Sequence, residues 1–595
     1  MLSGGRRRCR WMWLAPFFLF ASVATASGQQ RGRDAAPATS PRGRGSAPAA
    51  ASADSPTASA DPVLAAMLAE MERSKTQLKM DNLPAPYYVE YHVADVDEFD
   101  AEAAFGALRL NQRTHGRSLR VVVRVGDYKQ DSFGPGAGQG VADRAPLDND
   151  PVALRRALWL ATDRAYKTAT QALASKKATQ SQFSGDQGFD DFAHAQPLQS
   201  VGPLAKLDVD SKPWTDALVK SSALFRTDPQ IETLTAQARF RVVNEYFVNS
   251  EGTVTRHGSE VDSLALTGST QAADGMRLDR SPTFVAAKIS DLPTPEQFQA
   301  GASAMIASLK ALRDAPMVEE DYRGPVLFAP DAAADIVFAM IGNNVVGVRP
   351  RAGDAARTAG SFASSYKSRV LPASLSVTDD PTTNTFQGKS LVGSYEVDDE
   401  GVRAAKVSVI ENGELKNYLL GRQPIRDFPE SNGHGRAAPG QAPRASIGNL
   451  ILQASQSLSP AELKKKLLDM CRDANKPYGY YAETLSLSQA GPGRGAGPAS
   501  VRFDPVLLYR VYAQDGHEEL VRGAIFTDEL DTRSLRNGVV AAGNDPLVSN
   551  RATGIPTTVI SPSILFDELE VRRTSEKNGK LPEYSAPQLT SSSSR

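Results

Sequence analysis

Cysteine is nearly missing: two of 595 residues, Cys9 and Cys471. Cys9 lies in a segment expected to be removed, so no internal disulfide can form and stability must come from buried apolar surface. Histidine is scarce too. The six present are His92, His115, His194, His257, His434 and His517, and no pair has the spacing of metal ligands. A basic excess is also lacking. The formal net charge is -1, and losing Arg6, Arg7, Arg8 and Arg10 would leave about -5, which excludes an electrostatic footprint for nucleic acid. Long apolar runs are absent except from Trp11 to Val23, which is too short for a comfortable membrane span of about 20 residues. With its basic head and Ala24-Thr25-Ala26 behind it, this run reads as a cleavable signal peptide over residues 1–26. Cys9 precedes the run, which excludes a lipid-modified cysteine after cleavage. The expected location is the periplasm or the exterior. Residues 27–60, made of Ala, Ser, Pro, Gly and Arg, cannot bury enough surface to order themselves and read as a tether.

What remains is long enough for two or three domains. Four helix starts stand out. Asp61-Pro62 caps a segment with Val63, Leu64, Met67 and Met71 on one face, and Asp150-Pro151 opens a second that runs to about Leu173. Thr294-Pro295-Glu296-Gln297 and Ser459-Pro460-Ala461-Glu462 are capping boxes with proline in the first turn. Between them, Tyr87 to Val93, Leu119 to Val125, Ala238 to Val248, Lys406 to Ile410 and Val506 to Tyr512 are β-branched, aromatic and partly alternating, which predicts strands. Asn249-Ser250-Glu251-Gly252 and Glu411-Asn412-Gly413-Glu414 carry hairpin chemistry. Gly134 to Pro146 and Gly491 to Pro498 read as surface insertions. The fold class expected is α+β, with two sheet-rich lobes of mainly antiparallel strands and a few amphipathic helices. The divisions are a first region over 61–318, a second over 319–573, and a flexible tail over 574–595.

From Gly324 onward a series of motifs carries a resemblance. Gly324-Pro325-Val326-Leu327 enters a strand, Pro330-Asp331 opens a helix, and Val337 to Gly347 reads VFAMIGNNVVG. Ser394 to Val402, Val409 to Leu419, Ser431 to Ala437, Pro443-Arg444 and Pro562 to Val571 follow in order. The chain resembles the TldD/PmbA metallopeptidase-like family, whose older description is modulator of DNA gyrase. In that family a His-Glu-x-x-x-His motif sits where VFAMIGNNVVG stands. The resemblance places Phe338 at the first histidine, Ala339 at the glutamate and Asn343 at the second histidine. The family's third ligand, a late cysteine, has no counterpart between Asp545 and Val559.

A zinc site needs three donors from His, Cys or carboxylate and a base for the bound water. Phe338 and Ala339 supply neither, and Asn343 offers only a lone amide oxygen. No metal and no cofactor is therefore expected, zinc being the family's. His517-Glu518 begins like a zincin motif but puts Val521 where a histidine belongs. Cys471, beside Leu467 and Leu468, reads as a core thiol. Asp398, Asp399 and Glu400 read as a solvated turn rather than a site. The glycine-flanked Asn432, Gly433, His434 and Gly435 are candidates for peptide contact, with an exposed loop as the alternative. The resemblance implies a metal-free pseudoenzyme, a peptidase homologue that acts as a subunit or peptide-presenting scaffold in proteolysis. Its expected partners are a metal-bearing TldD-like paralogue or a second copy, and a peptide ligand, with no nucleic acid and no membrane span beyond the signal segment. Two alternatives stay open: a stand-alone periplasmic binding or structural protein, and an active peptidase using other residues.

Overall fold

Alternation along four very long strands organises the first half. The computed structural model describes residues 60–134, 139–180, 188–350, 356–489, 501–527, 530–552 and 554–574. The signal segment, nearly all of the tether, the 491–498 insertion and the tail beyond residue 574 lie outside them. Strands Pro86–Ala104 and Ala107–Val125 form one hairpin, Ile231–Asn249 and Val254–Gln271 form another, and the two join antiparallel at the heart of an eight-stranded sheet. The second hairpin turns at Asn249 to Gly252, as the sequence predicts. The first turns at Phe105-Gly106, both with positive φ (54° and 78°), in a pair that carries no Asn/Gly signature.

Successive side chains of a strand point to opposite faces, and here the two faces differ. Val89, Tyr91, Val93, Phe99, Ala101 and Ala103 share one face with Leu234, Ala236, Ala238, Phe240 and Val242 of the neighbouring strand, and all are buried. Helices Pro62–Gln77 and Pro151–Gln180 cover one end of that face, and Ser211–Ala223 and Pro295–Asp314 cover the other. The opposite face carries Glu90, His92, Arg120, Glu245 and His257. Loops of the second half pack on it.

All four predicted helix starts bring their cap with them; at the second, Asp150 Oδ1 accepts from the Ala153 amide (2.7 Å). Asp61 Oδ1 accepts from the amides of Val63 and Leu64, and Thr294 and Ser459 close complete capping boxes. The helix opening at Pro151 runs to Gln180, beyond the expected end. Ser211–Ala223 was not anticipated, because Pro213 and the serines and lysines around it mask the buried Trp214 and Leu218. The Gly134 to Pro146 insertion is not wholly a surface loop: Val141–Arg144 pairs with Ala107–Val125.

The second half holds two small two-stranded sheets and two larger ones, one of seven strands and one of six. Helix Pro330–Ile336 and the π-turn Val337–Gly342 lie in their shared core, where Ala332, Ala333, Ala334, Ile336 and Val337 are fully buried. Small side chains let this segment lie between the sheets. No helix among the described residues is long and apolar enough to cross a membrane.

Candidate functional site at the junction of the halves

The turn Asp398-Asp399-Glu400 is buried, at 2%, 7% and 8% exposure, which corrects the solvated-turn expectation. Protein donors replace water there. Asp398 accepts from the amides of Glu400 (3.0 Å), Val402 (2.8 Å) and Gly435 (2.9 Å). Asp399 Oδ2 accepts from Arg436 Nε (3.1 Å) and the Ala437 amide (2.6 Å), and Glu400 Oε2 accepts from the Arg422 amide (2.5 Å). Gly401 has φ of +76°, and a Cβ there would meet Phe247 Cε1 at 2.5 Å, so glycine lets the turn reach the first-half sheet. Burial, and then the charge of Glu400, hold the Asp398 carboxyl well above the usual range. Burial and the Glu245 charge raise Asp399 despite Arg436.

Facing this turn, Glu245 and His257 are directly opposed on neighbouring strands. Their Oε2 and Nε2 atoms are 2.9 Å apart. Burial works against the imidazolium, but the hydrogen bond and charge of Glu245, with Asp399 beyond, raise the His257 pKa. The same pairing lowers Glu245 against the cost of its burial. Ligand atoms of Glu245, His257 and Asp399 lie within 4.8 Å of one another. They line a cavity of about 30 Å³, with His92, Arg120 and the 437–441 loop around it. A second cavity of about 110 Å³, lined by Arg239, Arg241 and Arg436, shares Glu245 with the first.

Arg422 ties the halves together beside this site. Its guanidinium makes a two-pronged pair with Glu251 (2.7 and 2.8 Å), donates to the Ala193 carbonyl (2.7 Å) and lies 4.0 Å from the Phe192 ring centre, with no exposure.

The loop singled out from sequence is built into the core. Gly433, His434 and Gly435 are buried, and Asn432 is half-buried. His434 is fully enclosed, with Nε2 3.2 Å from Asp379 Oδ1 and Nδ1 3.0 Å from the Asn432 carbonyl, so the exposed-loop alternative is wrong. His517 stays at the surface, stacked on Tyr512 and hydrogen-bonded to Asp515. Cys471 is buried, and burial pushes its thiol up to about 11.

Phe338, Ala339 and Asn343 sit on the π-turn, where the Asn343 amide donates to the Phe338 carbonyl (3.2 Å). This i to i+5 bond brings positions five apart onto one face. The guanidinium of Arg551 lies 4.4 Å from the Phe338 ring centre and pairs with Asp335. Asn343 Nδ2 is spent on the Ala339 carbonyl (3.4 Å). An aromatic ring, a methyl group, a carboxamide and a fixed cation do not fit zinc.

Residues 321–573 match the model of the PmbA/TldA metallopeptidase C-terminal domain. Over that span the chain belongs to the TldD/PmbA family. Two archaeal metalloproteases are similar to shorter stretches. One from Archaeoglobus fulgidus is 30% identical over 105 residues, 18% of this chain and 22% of that protein. One from Methanocaldococcus jannaschii is 37% identical over 86 residues, 14% of this chain and 18% of that protein. The matched stretches thus span about a fifth of those relatives. Two solved structures share the TldD/PmbA fold. One is described as a modulator of a DNA gyrase from Thermotoga maritima, with TM-score 0.55 and 17% identity, covering 85% of this chain and 100% of that one. The other is TldE from Thermococcus kodakarensis, with TM-score 0.55 and 13% identity, covering 85% and 99%. The motifs from Gly324 onward were the legible sign of this TldD/PmbA domain. Glu245 and His257 were missed, because nothing in the sequence says that a cross-strand pair will face a turn about 140 residues later.

Proposed function

We propose that this chain is an exported TldD/PmbA-family peptidase homologue that lacks the family's zinc site and serves proteolysis as a metal-free-type subunit. In this reading it presents peptides to a metal-bearing TldD-like partner, or to an assembly that includes a second copy. One observation carries it: the family's ligand positions hold Phe338, Ala339 and Asn343, and Arg551 lies against the first of them. Water activation needs a Lewis acid and a base held close to it, and the lone amide oxygen of Asn343 suffices for neither. Export rests on the basic, apolar and small-residue pattern of residues 1–26. Strand addition at an open sheet edge is the general way such a fold takes an extended peptide.

The test is peptide cleavage by the purified full chain, alone and mixed with a TldD-like protein bearing an intact His-Glu-x-x-x-His. The expected outcome is no chelator-sensitive cleavage alone, and a changed rate or product pattern in the mixture. Chelator-sensitive cleavage by the chain alone, lost in Asn343→Ala, would overturn the proposal.

A further inference from the structure

The junction of the halves holds an acid surplus with an imidazole inside it. Glu90, Glu245, Asp398, Asp399 and Glu400 converge there. Of the guanidinium groups nearby, Arg124 is committed to Asp131 at 2.7 Å and Arg422 to Glu251. Arg120 and Arg436 are left to balance five carboxylates, with His92 and His257 beside them. Buried acid in excess of its cations favours a bound cation, because each carboxylate is costly to hold charged away from water.

Geometry narrows where that cation would sit. The Glu245 and His257 ligand atoms are 2.9 Å apart, hydrogen-bonded to each other, and a shift of about half an ångström gives the roughly 3.3–3.6 Å between two tetrahedral ligands with bonds of about 2.0–2.2 Å. Asp399 completes three donors from two halves of the chain, all within 4.8 Å. Asp399 Oδ2 is held by Arg436 Nε and the Ala437 amide, the kind of outer contact that orients a ligating carboxylate. The cavity of about 30 Å³ at this point has room for an ion or a water. Glu245 and His257 are only half-buried, which leaves an entry path.

We infer that Glu245, His257 and Asp399 form a binding site for one divalent transition-type cation, of the zinc or manganese class, that bridges the first-half sheet to the second-half turn. One imidazole nitrogen with two carboxylates suits those ions and not calcium, which takes oxygen ligands. The site is separate from the family's zinc position and independent of the peptide-presenting reading, so either can fail alone.

The test is equilibrium dialysis of the chelator-stripped full chain against Zn²⁺. The expected result is about one equivalent bound, weakened roughly 100-fold in His257→Ala and Asp399→Asn and unchanged in Asn343→Ala. Should those variants misfold, Co²⁺ on the unaltered chain still decides. The site predicts visible ligand-field absorption without the thiolate charge-transfer band that Cys471 would add. No zinc retained, equal retention in His257→Ala and Asp399→Asn, or a thiolate band would overturn the inference. The first of these outcomes would leave the cluster as an ion-pair network only.

Discussion

Arg422 illustrates how a residue silent in the sequence becomes central in the fold. Nothing about GRQP predicts a fully enclosed guanidinium, yet it answers Glu251, Ala193 and Tyr88 from the other half of the chain. Removing it leaves the Glu251 carboxylate without its pair, so Arg422→Ala is expected to lose about 3–5 kcal/mol in chemical denaturation. Asp262 gives a pH-dependent case. Burial, then the hydrogen bond and charge of Glu260, push its carboxyl up to about 8. The folded chain therefore keeps a proton that the unfolded chain releases near pH 4, and this residue's contribution to stability falls as pH rises from about 4 to 8. Asp262→Asn, a neutral stand-in for the protonated acid, is expected to raise stability at pH 8 on the order of 2 kcal/mol. The gain should vanish towards pH 4. Thermal melts at both pH values check this. At this scale the sequence misled twice, at Asp398 to Glu400 and at His434, because burial of a polar loop depends on what covers it. The covering sheet lies far away along the chain.

Elements were more legible than residues. Proline-led caps announced helices at Pro62, Pro151, Pro295 and Pro460, since a cap is a local device whose donors and acceptors lie within one turn. Ser459→Ala should therefore cost about 1 kcal/mol, seen as a lower denaturation midpoint, through loss of its bond to the Glu462 amide. The Phe105-Gly106 turn and the Ser211–Ala223 helix escaped notice because their local signals are weak and tertiary packing decides them. The π-turn is the most informative element. Its i to i+5 backbone bond joins positions 338 and 343, which carry a phenyl ring and a carboxamide here. Restoring Phe338→His, Ala339→Glu and Asn343→His together is expected not to confer zinc binding while Arg551 remains, since its guanidinium occupies the adjoining space with like charge. Adding Arg551→Ala should relieve that block, and a second zinc equivalent, beyond the one expected at Glu245, His257 and Asp399, in that variant alone checks it.

On the scale of the whole molecule, one face of the first-half sheet is apolar and covered by helices, and the other is charged and covered by loops of the second half. The α+β class and the hairpins at Asn249 to Gly252 and Asn412-Gly413 followed from alternation and turn chemistry. The junction did not, since no local pattern says which faces will meet. The central claim is that the family's metal position is chemically closed in this chain. Anomalous X-ray scattering at the zinc edge, from crystals of the full chain grown with zinc, tests it most directly. The account predicts no zinc peak beside Phe338 and Asn343, with density of that kind between Glu245, His257 and Asp399. A peak coordinated at the Val337–Gly342 turn would contradict it.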